Sequence, residues 1–361
     1  MMNKQKLGIS VYLSYELEYI LKQLDKAKKY GFEYVFTSFQ IPEEKDKHSI
    51  SKIKEILSYC KEKELFVIAD VGPKALSLLS IESYKQLKEI GVTHLRLDYG
   101  FSDKQIQELS KDFTLVFNAS TFNSEQIEHL KKLNIDLSKV LACHNYYPKP
   151  YTGLSFSLVN DINHILQKEK IQTMAFVEGD DKLRLPLEKG LPTIEKQRNK
   201  EVLYNILELQ KKTNTEVIFI GDVDLKDETY KAIDNLQKGF IKLRCYLNKD
   251  YEYLCNYIHH DRSDYSEYFL RSVESRNENK LNYLVEPFDC KKREIGTICV
   301  SNKNYARYNG EVEIMKKEIE QDDKVNVVGH IIEEDIKFLY ILDESIGIKL
   351  EKIGEYPNER N

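Results

Sequence analysis

Eight short apolar runs alternate with polar stretches of helical period along the first 235 or so residues. The runs are LGISVYL (7–13), YVFTSFQIP (34–42), LFVIADVGP (65–73), HLRLDYG (94–100), TLVFNAST (114–121), VLACHNYYP (140–148), TMAFVEGD (173–180) and VIFIGDVD (217–224). Between them, stretches such as YELEYILKQLDKAKKYG place Leu17, Ile20, Leu21, Leu24 and Ala27 on one helical face, with Gly31 as the stop. NSEQIEHLKKLN opens on Asn123 or Ser124 as its N-cap. Eight strand-then-helix units predict an α/β fold, a (β/α)₈ barrel. Such barrels carry their active sites at the C-terminal ends of the strands. Those ends hold Asp70, Asp98, Asn118, His144, Asn145, Glu178 and Asp222.

Alternation within the runs predicts which side chains enter the barrel. In HLRLDYG, Leu95 and Leu97 share one side and Arg96 and Asp98 the other. The first pair is expected to face the helices and the second the lumen. A lumen arginine requires a carboxylate beside it. In YVFTSFQIP, Ser38 and Gln40 fall on one side, with Thr37, Phe39 and Ile41 on the other. Between the last two runs lies GDDKLRLPLEKGLPTIEKQRNK, a long loop on the catalytic side that is expected to shape the site.

The pattern changes after about residue 235. KGFIKLRCYL, NYLVEPF, IGTICVSN, VNVVGHII and KFLYILDE read as strands with little helix between them. They predict a smaller, mainly β domain, dividing the chain into 1–236 and 237–361. The end, EKIGEYPNERN, reads as a frayed tail.

Composition narrows the function. A net charge of −5 argues against a general nucleic-acid binder. The N-terminus, MMNKQKLGISVYL, has too short an apolar stretch for a signal peptide or membrane span. Six cysteines without a CxxC pair do not form a disulfide framework and fit a reducing cytoplasm. No HxH or HExxH spacing points to a metal, and no glycine-rich fingerprint to a dinucleotide, so no cofactor is expected.

Several motifs occur in a fixed order: FTSFQIPEE (36–44), IADVGP (68–73), LRLDYGF (95–101), FNAST (117–121), ACHNYYPKPYTGL (142–154), GLPTIEKQR (190–198) and IGD (220–222). RSDYSEYFLRSVESR (262–276), NYARYNGEVEI (304–314) and VNVVG (325–329) continue the series. Together they resemble the 6-phospho-N-acetylmuramidase family, the MupG-like glycosidases formerly described as bacterial outer surface proteins. The resemblance implies a barrel followed by a cyclophilin-like β domain. It also implies a cytoplasmic enzyme of peptidoglycan recycling. Its substrate would be the phosphorylated amino-sugar disaccharide of N-acetylmuramic acid 6-phosphate and N-acetylglucosamine, with no nucleic acid or membrane partner and a homodimer as an option. Gly72 stands where the family commonly has Ser, and Val177-Glu178-Gly179 and RLPLEKGLP (184–192) also depart from its pattern.

Glycoside hydrolysis uses two carboxyl groups, one protonating the leaving oxygen and the other acting as nucleophile or activating water. Asp98 and Asp70 are the expected pair, on adjacent strands about 4.8 Å apart. That spacing suits the roughly 5 Å separation of a retaining enzyme. Glu44 or Asp222 could replace either member. Competing structural readings are an Asp98–Arg96 ion pair, a helix cap by Asp70, and a cap by Asp222 of a helix near Asp227. Ser10, Arg96, Asn118, Ser120, His144, Asn145 and Glu178 are candidate substrate contacts, uncharged groups among them suiting hydroxyl and acetamido groups. His144 is also a possible proton donor. Lys149, Lys182, Arg184 and Arg271 are candidates for the phosphate. Another sugar-phosphate barrel enzyme, such as an isomerase or aldolase, is one rival; a Schiff-base aldolase would need a lumen lysine, which the strand cores lack. A non-catalytic carbohydrate-binding protein is the other rival.

Overall fold

The computed structural model describes residues 5–39, 50–72, 75–79, 81–98, 100–277 and 284–357. The chain divides into two compact units, residues 4–231 and 232–361.

In the first unit the eight predicted strands form: β1 (Lys6–Ser10), β2 (Tyr34–Ser38), β3 (Phe66–Val71), β4 (Val92–Leu97), β5 (Thr114–Asn118), β6 (Val140–Cys143), β7 (Gln172–Val177) and β8 (Val217–Ile220). They close in sequence order into a parallel barrel. Helices connect them: α1 (Leu17–Lys29), α2 (Ile50–Glu62), the short α3 (Ala75–Leu78) and α4 (Lys85–Ile90), α5 (Asp103–Asp112), α6 (Ser124–Lys132), α7 (Phe156–Lys168) and α8 (Val202–Thr213). α9 (Asp227–Gln237) follows β8. The helix starts are chemically specified. Ser102 with Gln105 and Asn123 with Gln126 each form a reciprocal capping box, so Asn123 is the N-cap of α6.

Period-two alternation sorts the strand side chains as expected. Val35, Val67, Ala69, Leu95 and Leu97 pack outward with Leu24, Ile53, Ile56 and Leu57 of α1 and α2. Tyr34, Phe36, Ile68, Val116, Leu141, Cys143, Met174, Phe176, Val217 and Phe219 fill the lumen. The lumen is crowded enough that β1 contributes a glycine there. A Cβ on Gly8 would lie 2.2 Å from the Phe219 ring, so only hydrogen fits.

The second unit is a six-stranded mixed sheet that curves as a half-barrel. Its strands are β9 (Phe240–Leu247), β10 (Phe269–Arg271), β11 (Thr297–Ser301), β12 (Val312–Met315), β13 (Val325–Ile331) and β14 (Gly347–Gly354). The spatial order is β10-β12-β11-β13-β9-β14, with only the β9–β14 pair parallel. Three readings of the sequence change here. Residues 337–340 of KFLYILDE form a 3₁₀ turn, not a strand, after a helical turn in which Asp335 binds Arg244 at 2.6 Å. The described part of NYLVEPF joins no strand. The expected tail instead contributes Glu351–Gly354 to β14, which pairs with β9 along its length.

Candidate active site

Ser38, Asp70 and Arg96 meet where β2, β3 and β4 end. In register, Ser38 lies opposite Asp70, and Asp70 opposite Arg96. Ser38 Oγ donates to Asp70 Oδ2 at 2.8 Å, and Arg96 Nη1 donates to Asp70 Oδ1 at 2.7 Å. Arg96 Nη2 donates to Asn145 Oδ1, beyond the end of β6. The carboxylate required by a lumen arginine is therefore Asp70. The pair is largely shielded, with side chains 13% and 11% exposed for Asp70 and Arg96. Burial opposes the charge of Arg96, but the facing Asp70 carboxylate outweighs it and raises its pKa further above the solution value. Asp70 spends both oxygens here, so its carboxyl is anchored to Ser38 and Arg96 and caps no described helix.

Asp98 follows β4 on the same side as Arg96, two residues further toward the mouth. Its own backbone N–H donates to Val71 O at 3.3 Å. Its carboxyl is half-buried and accepts no hydrogen bond from any described residue. The Asp98–Arg96 ion pair gives way to Asp70–Arg96. Because Asp70 pairs in register with Arg96, Asp98 is staggered from Asp70 by two residues. Strand spacing and rise then put the two Cα atoms about 8 Å apart. The two residues are therefore diagonal across the strand pair rather than directly opposed.

Asn118 and Asn145 also lie at strand ends. Asn118 Oδ1 accepts the Ser120 N–H at 3.1 Å, shaping the turn after β5 and leaving Ser120 exposed. Ser10 is fully buried at the end of β1. Lys149 is exposed in a turn closed by Thr152 Oγ1, 2.6 Å from the Lys149 carbonyl.

His144 requires a correction. Cys143 and Asn145 point inward, so His144 points outward into the helix layer. Its Nε2 lies 2.8 Å from Asn163 Oδ1 of α7, and Asn163 in turn donates to Thr213 O and Thr215 Oγ1. The ring is fully buried, and burial lowers its pKa. Through Asn163 it locks α7 to the barrel.

Asp222 is also corrected. It neither caps α9 nor offers a free carboxylate. Its Oδ2 accepts the backbone N–H groups of Gly179 and Leu191, and its Oδ1 that of Arg184, each at 3.0 Å. Burial raises its pKa against the pull of these three amides. One side chain thereby pins three points of the loop between β7 and α8. A second clamp joins this loop to the one after β6. Arg198 grips Glu195 through Nε at 2.7 Å and Nη2 at 2.8 Å, and donates to the carbonyls of Lys189, Gly190 and Tyr147. Glu195 also accepts from the amides of Tyr151 and Gly153, and Arg198 pulls its pKa down to about 2.

This framework presents Arg184 at the mouth. Its guanidinium lies 4.8 Å from the Tyr12 ring centroid, and Nη1 donates to Tyr146 Oη at 3.3 Å. Tyr12 is held by its own hydroxyl donating to Gly221 O. Sequence reading missed Tyr12, Tyr146 and the Glu195–Arg198 clamp. The signal for Tyr146 was its place in CHNYYP, one residue past inward-facing Asn145. Arg271 belongs to the second unit, where Nη2 bonds the Asp264 carbonyl at 2.5 Å. Glu44 lies outside the described residues.

Glu178, past the end of β7, is buried and accepts the Lys200 N–H at 3.1 Å. Burial, reinforced by Asp222, raises its pKa to about 7 against the opposing amides and Arg198. An unfolded Glu titrates near about 4.3. Between these values the fold holds a proton that the unfolded chain has released, so stability from this group declines as pH rises. The melting temperature of a Glu178→Gln variant is expected to fall less between pH 5 and pH 8 than that of the native protein. Parallel melting curves for the two would contradict this.

Among the described residues, no group of three or more His, Cys, Asp or Glu side chains is arranged to hold a metal ion. No helix among them is long and apolar enough to cross a membrane.

An α/β barrel with carboxylates and arginines at its open end is an enzyme architecture, and sequence comparison gives the class. The profile described as 6-phospho-N-acetylmuramidase, N-terminal, matches residues 7–235, and that described as 6-phospho-N-acetylmuramidase, C-terminal, matches residues 241–351. The chain belongs to the 6-phospho-N-acetylmuramidase family, whose members are glycosidases. Among solved structures it is similar to a conserved Enterococcus faecalis protein of unknown function, with 28% identity, 97% of each chain covered and a TM-score of 0.80. It is also similar to an uncharacterized B. cereus protein, with 24% identity, coverage of 96% of this chain and 99% of that one, and a TM-score of 0.77. No curated protein matches the chain.

Proposed function

We propose that this enzyme hydrolyses the glycosidic bond between N-acetylmuramic acid 6-phosphate and N-acetylglucosamine, in the cytoplasm, as a step of peptidoglycan recycling. The observation that carries the reading is the match of the N-terminal family profile to a barrel whose mouth holds Asp70 and Asp98, with the C-terminal profile matching the second unit. Asp70, fixed by Ser38 and Arg96, serves as the carboxylate facing the developing positive charge at the anomeric carbon. Asp98, with its carboxyl open to the mouth, exchanges the proton with the leaving oxygen. Asn118 and Asn145 offer amide groups to the hydroxyl and acetamido groups of the sugars.

The test is release of N-acetylglucosamine from the 6-phosphorylated muramyl disaccharide, with the unphosphorylated disaccharide alongside. Cleavage of the phosphorylated form alone is expected. Cleavage of neither by folded protein would defeat the proposal, and equal cleavage of both would remove the phosphate from it.

A further inference from the structure

We infer that the second unit carries a binding site for a neutral, hydroxyl-bearing sugar, on the sheet face that presents Glu311 and Glu313. The inference goes beyond the hydrolytic reading, and no residue of the barrel enters it. Register defines the face. Arg271 of β10, Glu313 of β12 and Cys299 of β11 lie opposite one another in a row across the sheet. Alternation puts Phe269 and Met315 on the same side, and Glu311, two residues before Glu313, with them. Cys299, Met315, Val325 and Val327 form an apolar floor, against which the half-buried rings of Phe269, Tyr305 and Tyr356 pack.

The polar groups on this face are charged and unmatched. Glu313 is half-buried, yet among the described residues it accepts no hydrogen bond and joins no ion pair, even with Arg271 opposite. Burial raises its pKa to about 7 against the pull of Arg293. Glu311 is only 7% exposed, and its Oε1 accepts no hydrogen bond; Arg262 Nη1 stands 4.0 Å from it. Arg293 is 8% exposed and has carbonyl partners but no bonded carboxylate. Its Nε and Nη2 donate to Glu320 O at 3.2 and 2.8 Å, and its Nη1 makes no bond among the described residues. Its backbone pairs with that of Ile319, which packs on the same floor. Charged groups this shielded are ordinarily bonded. These are not, so they define a place for a ligand that supplies the bonds.

The balance of charge sets the ligand's chemistry. Glu311 and Glu313 stand with Arg271 and Arg293. A phosphate here meets the glutamates, and an amine meets the arginines. A hydroxyl group both donates and accepts, so it serves Glu313 and Arg293 Nη1 together without adding charge. The rings beside them suit the apolar C–H faces of a pyranose. A neutral amino sugar such as N-acetylglucosamine combines these groups.

The chain supplies its own reporters. Of its four methionines, Met174 lies in the barrel lumen and Met315 in the floor beside Glu313. Full-length protein carrying isotope-labelled methionine methyl groups is followed by NMR, with the two resonances assigned through Met174→Leu and Met315→Leu. N-acetylglucosamine, glycylglycine and inorganic phosphate are titrated separately. The sugar is expected to move the Met315 methyl saturably, with a Kd on the order of 1 mM or below, and the other two to leave it in place. Glu313→Ala should weaken the sugar at least about tenfold at Met315 and leave the Met174 response unchanged. Glu313→Gln keeps the shape and one acceptor oxygen and should weaken it about threefold, which serves if the alanine variant does not melt cooperatively.

A Met315 methyl that stays still with the sugar overturns the inference, including the case in which Met174 alone moves and the sugar binds only the barrel. Movement with glycylglycine or phosphate but not with the sugar overturns the assignment to a neutral ligand. A Met315 response to the sugar that is the same in native protein and in both Glu313 variants places the sugar elsewhere and overturns it too.

Discussion

Asp98→Asn is expected to lower kcat on the phosphorylated disaccharide by roughly 10²–10⁴-fold, the usual worth of a positioned proton donor, with KM changed only a few-fold. The reasoning starts from what each carboxylate already does. Asp70 accepts from Ser38 and Arg96 on its two oxygens, which holds it still. The Asp98 carboxyl receives no hydrogen bond from any described residue and is half-buried, so neither oxygen is held away from a leaving group. Asn is isosteric and cannot donate an acidic proton. The defect should shrink on a synthetic substrate with a nitrophenolate leaving group, which departs without protonation. Asp70→Asn should show no such recovery, because the role proposed for it is stabilising charge on the sugar. A deficit of equal size for Asp98→Asn on both substrates would remove Asp98 from the acid role.

The second large effect concerns stability. Arg96→Met leaves the Asp70 carboxylate in a mostly shielded position with only Ser38 as partner, and deprives Asn145 of its donor. Breaking one side of such a pair costs about 3–5 kcal/mol. The urea midpoint should fall accordingly, and Arg96→Met combined with Asp70→Leu should recover part of the loss, since the stranded charge is then gone. A single variant within about 1 kcal/mol of native would show that water reaches the site freely enough to replace the guanidinium.

The barrel was legible because its two signals, alternation in the strands and helical period between them, are local and repeat eight times. The same alternation that placed Arg96 and Asp98 inside also places His144 outside once Asn145 is inside. Adjacency in ACHNYYP hid this, because neighbouring residues on a strand point apart. Asp222 was harder. Its partners are backbone amides 31 to 43 positions away in sequence, and a main-chain donor leaves no mark in residue type. In the second unit, the apolar KFLYILDE outweighed the acidic EED before it, which begins a helical turn. β14 was missed although Ile348 and Leu350 are buried while Glu351 is exposed, the signature of a half-covered strand.

The ring-filled lumen has a kinetic meaning. Phe36, Phe176 and Phe219 contact one another edge-on or tilted just below the layer of Asp70 and Arg96, with Tyr34 beneath them. Traffic through the barrel is therefore one-ended. Substrate and water enter by the opening at the strand ends, and both products of glycosidic cleavage must leave by it. A product that lingers stands in the path of the next substrate, so turnover is tied to the order in which the two products depart.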